Sequence, residues 1–185
     1  MFDKNSRQII TKAVCGKGKK FTEASHTVTP LHRPTSILGC WVINHKYSAK
    51  KRGDFVEVSG SYDINVWYSY SDNTKTEVVS DKVTYTDKIP LLMKDEHCIS
   101  DELDVIAKVV QQPNCIECEI SSNGNRIVCE IEREFVVEVI GETKMYVKLD
   151  PHGKDHDDYD YDRLEAELAD LNPDVSSSEE SSSDH

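Results

Sequence analysis

Between residues 55 and 70 apolar side chains recur at every second position: Val56, Val58, Tyr62, Ile64, Val66, Tyr68 and Tyr70. The alternate positions carry Glu57, Ser59, Ser61, Asp63, Asn65, Trp67 and Ser69. Successive side chains of an extended chain point to opposite faces, so this run predicts a long strand with one face on a core and the other wet. Trp67 is the exception on the wet face, and Gly60 predicts a bulge or a close approach by another backbone. Asp72-Asn73 supplies turn residues, and residues 76–89, with Val79, Val83, Tyr85 and Ile89 on one parity, read as the returning strand. A two-residue loop there sets Val66 opposite Val79 and Tyr62 opposite Val83. A slip of one residue would turn the whole apolar set to solvent, so the pattern itself fixes the register.

A second hairpin is expected where residues 115–120 and 126–140 flank Asn123-Gly124, the dipeptide that favours a type I′ turn. Closing on that turn pairs Ile116 with Ile131, Cys118 with Cys129 and Ile120 with Ile127, all on one face. On the other face Glu117 meets Glu130 and Cys115 meets Glu132, which makes that face wet. Less regular strands are expected at 9–15, 21–29, 37–43, 103–110 and 145–149, giving eight or nine in all. Many short antiparallel strands without interleaved helices predict an all-β fold, an antiparallel β-sandwich or partly closed barrel, over residues 1–149.

Charge separates the rest of the chain from this domain. Residues 150–185 hold thirteen Asp or Glu against Lys154 and Arg163, so eleven of the twelve net negative charges belong to the tail. A field of that sign repels nucleic acid and anionic lipid and attracts basic protein surfaces. Within the tail, Asp162-Arg163-Leu164-Glu165 fits a capping box, and Leu164, Leu168 and Leu171 follow at helical spacing until Asn172-Pro173. So short a helix, near 162–171, is unstable alone and needs a partner or its own domain to dock on. The remainder of the acidic tail is expected to be disordered. No long apolar core of a secretory signal opens the chain, and no apolar stretch is long enough to cross a bilayer, so a cytosolic origin and no membrane insertion are expected.

Six cysteines in such a chain start as thiols. Cys115-Ile116-Glu117-Cys118 has the spacing of a redox or zinc knuckle, but regular alternation sends its two thiols to opposite faces, and a zinc knuckle needs a turn. The reading is therefore of Cys118 and Cys129 as adjacent buried thiols, with Cys115 outward and, like Cys98 in the polar loop 94–102, a candidate for intermolecular cross-linking. His26, His32, His45 and His97 are scattered, and no EF-hand pattern surrounds His152, so no metal site and no cofactor are expected. Cys15-Gly16-Lys17-Gly18-Lys19-Lys20 lacks the Ser or Thr of a phosphate loop and reads as a basic turn between strands. No catalytic nucleophile motif occurs, and no enzyme is expected. The rival reading is a ligand- or carbohydrate-binding β-sandwich, with Trp41, Trp67, Tyr68 and Tyr70 lining a sugar face.

Several segments carry a resemblance to a known family: Ile9-Ile10-Thr11-Lys12-Ala13-Val14, Ser36-Ile37-Leu38-Gly39, Ile43-Asn44-His45-Lys46-Tyr47, and the run from Tyr62-Asp63-Ile64-Asn65-Val66-Trp67-Tyr68-Ser69-Tyr70 through Asp72-Asn73-Thr74-Lys75-Thr76-Glu77. Gln111-Gln112-Pro113-Asn114-Cys115, Glu132-Arg133-Glu134-Phe135 and Gly141-Glu142-Thr143-Lys144 extend it. In this order they resemble the CotE family, outer spore coat morphogenetic proteins of endospore-forming bacteria. The cysteine content and the Ser-rich end from Ser176 depart from that pattern. The resemblance implies a non-enzymatic scaffold that self-associates as a homo-oligomer. It also implies assembly from the mother-cell cytoplasm onto the forespore surface through a spore coat basement-layer protein, and recruitment of other outer coat proteins. The recruiting region would map to 150–185, with Leu164, Leu168 and Leu171 as the partner-binding stripe.

Overall fold

The predicted alternation at 55–70 is realised without a break as a strand, β3 (Phe55–Tyr70), in which Val56, Val58, Tyr62, Ile64, Val66 and Tyr68 are all fully buried. In the computed structural model, which describes residues 6–149, the other strands are β1 (Ser6–Val28), β2 (Pro34–Arg52), β4 (Lys75–Pro90), β5 (Met93–Lys94), β6 (Asp104–Ile120) and β7 (Ile127–Lys148). They form a four-stranded sheet in the order β5-β1-β7-β6 and a three-stranded sheet in the order β2-β3-β4. The antiparallel sheets face each other as an unclosed sandwich. These strands lie almost wholly in one compact unit, Gln8–Tyr146. The acidic tail and its expected helix lie outside the described residues.

Among the described residues seven strands replace the expected eight or nine, because several predicted breaks are continuous ladder. The basic stretch 15–20 is not a turn: Gly16 pairs with Lys94 and Lys17 with Met93, inside β1. Its lysines reach across the sheet, Lys19 to Glu134 at 2.8 Å and Lys17 to Glu138 at 3.4 Å. Likewise residues 111–114 continue β6, and residues 141–144 continue β7. Backbone pairing along a neighbouring strand outweighs the local turn preference of Gly, Pro and Asn here.

The first hairpin has the predicted register, Tyr62 opposite Val83 and Val66 opposite Val79. Its loop is four residues rather than two, with Ser71, Asp72 and Asn73 all at positive φ. In the second hairpin Cys118 faces Cys129 and Ile120 faces Ile127 as expected, and Glu117 meets Glu130. The turn differs: only Gly124 has positive φ, whereas a type I′ turn needs it at both central residues, and Gly124 N–H instead donates to Ser121 O at 2.7 Å. The predicted pairs Ile116–Ile131 and Cys115–Glu132 do not form. A bulge at Ile116 sets Cys115 opposite Ile131 and Asn114 opposite Glu132.

Bulges concentrate on β2 and β6, each with three irregularities against its partner, and these two strands run side by side along one flank of the sandwich. At Asn44-His45, two residues of β2 oppose Tyr62 alone, with Asn44 in the left-handed region at φ 57°. The bulge swings His45 toward the interior. Its Nδ1 pairs with Gln112 Oε1 of β6 at 2.7 Å and its Nε2 with the Tyr85 hydroxyl at 2.6 Å. Gly60 supplies the close approach foreseen for it, since a Cβ there would lie 2.5 Å from both the Lys46 carbonyl and the Tyr85 hydroxyl.

Two apolar clusters fill the sandwich. One gathers Val28, Tyr62, Ile64, Val66, Tyr68, Val83, Ile127, Cys129 and Ile131; the other gathers Val56, Val58, Ile89, Leu91, Phe135, Val137 and Val139. At about 1.5–3 kcal/mol per fully buried large apolar side chain, these faces dominate the favourable side of folding. Near Tyr85, which packs on both clusters, Arg133 of β7 meets Asp87 of β4 through two 2.8 Å hydrogen bonds, the side chains only 4% and 5% exposed. The guanidinium also lies 4.1 Å from the centroid of the Tyr85 ring, and its Nη1 has no hydrogen-bond partner in the protein. His26 shares a 2.8 Å hydrogen bond with the Tyr62 hydroxyl beside this pair.

Deleting one member of such a pair leaves the other charge buried. Asp87→Ala should therefore lower unfolding free energy by about 3–5 kcal/mol, while Asp87→Leu combined with Arg133→Met should cost much less. Urea titration of the three proteins checks this, and equal losses in single and double variants would refute it. Burial, and then the neighbouring Arg133, hold the His26 imidazole below its ordinary pKa, against weaker opposing effects of Asp81 and Glu130. The unfolded chain therefore takes up the proton first, so the His26 contribution is intact above the unfolded value near 6.5 and declines as pH falls toward the depressed folded value. His26→Phe should show a smaller loss of urea stability between about pH 7.5 and 5.5 than the wild type; an unchanged difference would exclude this origin.

Candidate functional site

The bulge at Ile116 has a chemical consequence. On a regular strand the two thiols of a Cys-x-x-Cys sequence point to opposite faces, but one extra residue restores them to the same face. Cys115 and Cys118 thus both turn toward the interior while Ile116 is 50% exposed, correcting the expectation of an outward Cys115. Cys129 of β7 stands directly opposite Cys118, with the sulfurs 3.1 Å apart. Cys40 of β2 enters from the other sheet, its sulfur 4.0 Å from that of Cys129. All four sulfurs lie within 4.8 Å of one another.

Cys129 is fully buried and the other three are half-buried. An open surface hollow of about 290 Å³ is lined by Cys40, Cys115 and Cys118 together with Ile37, Leu38, Gly39, Ile116 and Glu117. The cluster is therefore reached from solvent on one side and backed by the core on the other. Hydrogen bonds received from Cys129 and Cys40 pull the Cys118 thiol down to about 4. The same contacts push Cys40 and Cys129 up, and burial raises Cys115. One thiolate stabilised by neighbouring S–H groups is the arrangement of a reactive or metal-binding cysteine.

The remaining thiols form a separate pair. Cys15 is buried, and burial together with contact to Cys98 lifts its thiol to about 11. Cys98 is half-buried, and its backbone bridges to Thr143.

The four aromatic residues considered for a sugar face do not share one. Tyr68 is fully buried, and its hydroxyl donates to Glu77 at 2.5 Å. Tyr70 turns inward as well and stacks on His32 at a ring separation of 4.3 Å. Trp41 and Trp67 lie on the outer face of the three-stranded sheet, 53% and 45% exposed. Trp67 is opposite Gly39 on one side and Val78 on the other, and the Trp41 ring covers Gly39. With Ile43 and Val78 they form an exposed apolar strip, flanked by Asn65 opposite Trp41 and Asp63 opposite Ile43. Leu164, Leu168 and Leu171 lie outside the described residues.

The described residues thus form an unclosed antiparallel sandwich with a buried ion pair between its sheets and an apolar strip on its outer face. The sequence model of the outer spore coat protein E (CotE) family matches residues 5–178. The chain belongs to that family, and is a structural protein of the outer spore coat. No curated protein and no solved structure shows significant similarity to it. No helix among the described residues is long and apolar enough to cross a membrane.

The thiol site gives a direct expectation. Limiting iodoacetamide added to reduced, metal-free protein near neutral pH should label Cys118 before Cys40, Cys115 and Cys129, whose thiols are pushed up while its own is pulled down. Peptide mass spectrometry reads the order, and preferential labelling of Cys115 would overturn it.

Proposed function

We propose that this chain is a non-enzymatic morphogenetic scaffold of the outer coat, which associates with copies of itself through the outer face of its three-stranded sheet and recruits further coat proteins through residues 150–185. Membership of an outer-coat family over residues 5–178 is the observation that carries the reading. The strip of Trp41, Ile43, Trp67 and Val78 supports the choice of surface, since aromatic side chains left exposed together are favoured where proteins meet. The β4 edge is less suited: its outward positions include Lys82, Thr84, Thr86 and Lys88, charged and polar residues of the kind that block edge pairing.

In this proposal the domain, residues 1–149, supplies the repeating contact, and the acidic arm is left to engage partners. Leu164, Leu168 and Leu171 are its proposed contact residues for a basement-layer or outer coat protein. Assembly starts in the mother-cell cytoplasm and proceeds on the forespore surface. Half-buried Cys98 is a candidate for later cross-linking between chains, at the cost of its contact with Cys15.

Sedimentation of the purified full-length protein should show oligomers or larger assemblies, and Trp41→Ser with Trp67→Ser should shift them to smaller species at the same concentration. A wild-type protein that stays monomeric at high concentration would defeat the proposal. Electron microscopy of the chain with and without residues 150–185 separates its two halves: assemblies should persist without the tail.

A further inference from the structure

The four-thiol cluster is more than a packing detail. We infer that Cys40, Cys115, Cys118 and Cys129 form a tetrahedral binding site for a thiophilic divalent metal ion, Zn²⁺ foremost, that ties the two sheets together.

Geometry is the first support. Metal–sulfur bonds of about 2.3 Å in a tetrahedron require sulfurs about 3.8 Å apart. The distances of 3.1 Å for Cys118–Cys129 and 4.0 Å for Cys40–Cys129 bracket that value, and all four sulfurs stay within 4.8 Å. On binding, the 3.1 Å Cys118–Cys129 pair opens toward that separation and exchanges its hydrogen bond for two metal–sulfur bonds. The second support is origin. The ligands come from β2, β6 and β7, so they converge from both sheets and only through the fold. The third is access and backing: the surface hollow admits an ion past Cys40, Cys115 and Cys118, while Ile127, Cys129 and Ile131 close the inner side.

A disulfide between Cys118 and Cys129 is the competing fate of these groups. It would use two sulfurs and require an oxidant, leaving Cys40 and Cys115 converging on nothing. A four-coordinate ion uses all four without oxidation. On binding, every sulfur that still carries a proton gives it to solvent and each thiolate donates an electron pair to the metal, so the metal keeps its oxidation state. The Cys115 S–H, which donates to the Glu117 carbonyl at 3.3 Å, loses that bond and gains the metal.

Cobalt(II) is the probe, because tetrahedral thiolate coordination gives it an intense visible absorption that octahedral sites lack. Titration of the reduced full-length chain under anaerobic conditions should produce this absorption, saturate at about one Co²⁺ per chain and be bleached by Zn²⁺. Cys40→Ser with Cys118→Ser should abolish it, while Cys15→Ser with Cys98→Ser should leave it unchanged, with circular dichroism confirming the strand content of both. Should the cluster variant misfold, the wild-type spectrum and the Cys15/Cys98 variant still decide the matter. Absence of the tetrahedral spectrum in the reduced wild type, or its loss in the Cys15/Cys98 variant, would overturn the assignment. So would an intramolecular Cys118–Cys129 disulfide in protein isolated without added oxidant, seen by mass spectrometry in place of bound zinc.

Discussion

Two opposite charges sealed between the sheets set the terms for everything else in this domain. Arg133 and Asp87 stand on different sheets and satisfy each other through two hydrogen bonds, at a depth where either charge alone is costly. Apolar contacts on either side are interchangeable to a degree, since one Val can replace another against a flat face. The ion pair is not interchangeable: sliding β4 by one residue past β7 would bury two unpaired charges. It therefore selects one alignment of sheet on sheet even where it adds little net stability. The Tyr85 ring under the guanidinium is held by His45, and His45 reaches its position only through the bulge at Asn44.

This dependence shows what could be read from the order of residues. Parity along β3 and β4 determined both the buried face and the register, because a period of two leaves only one pairing that joins the apolar sets. The ion pair is legible by the same rule: Arg133 shares the parity of Ile131 and Phe135, and Asp87 that of Tyr85 and Ile89. A charge at a core position on each of two facing strands is a signal for a buried pair. Strand lengths were harder, since Gly16-Lys17-Gly18 and Gln111-Gln112-Pro113-Asn114 prefer turns locally, and only the neighbouring strand decides that they stay extended.

Bulges were the least legible feature, and they control the chemistry. A bulge is a mismatch in count between two strands, so neither strand shows it alone. Pro113 hinted at one, because proline cannot donate to a ladder and is tolerated where pairing is broken. The consequence fell three residues later. With Ile116 counted as an ordinary ladder residue Cys115 points outward; with Ile116 set aside it joins Cys118, Cys129 and Cys40.

The location of that cluster fits the mechanical weakness of the fold. An unclosed sandwich lacks hydrogen bonds between its sheets along the flank where β2 and β6 meet, and both strands are repeatedly bulged there. Side-chain links must hold that seam: Tyr47 to the Ala107 carbonyl, His45 to Gln112, and the four thiols. The hydrogen bonds are exposed and compete with water, so each contributes only about 0.5–1.5 kcal/mol. Coordination of one ion by sulfurs from both sheets is of a different order, because it closes a long loop of chain and is not displaced by water. The seam is also continuous with the outer strip, since Gly39, under the Trp41 ring, immediately precedes Cys40. Fixing the cysteines therefore fixes the aromatic surface beside them, which couples the rigidity of the domain to the face through which a coat scaffold would make its contacts.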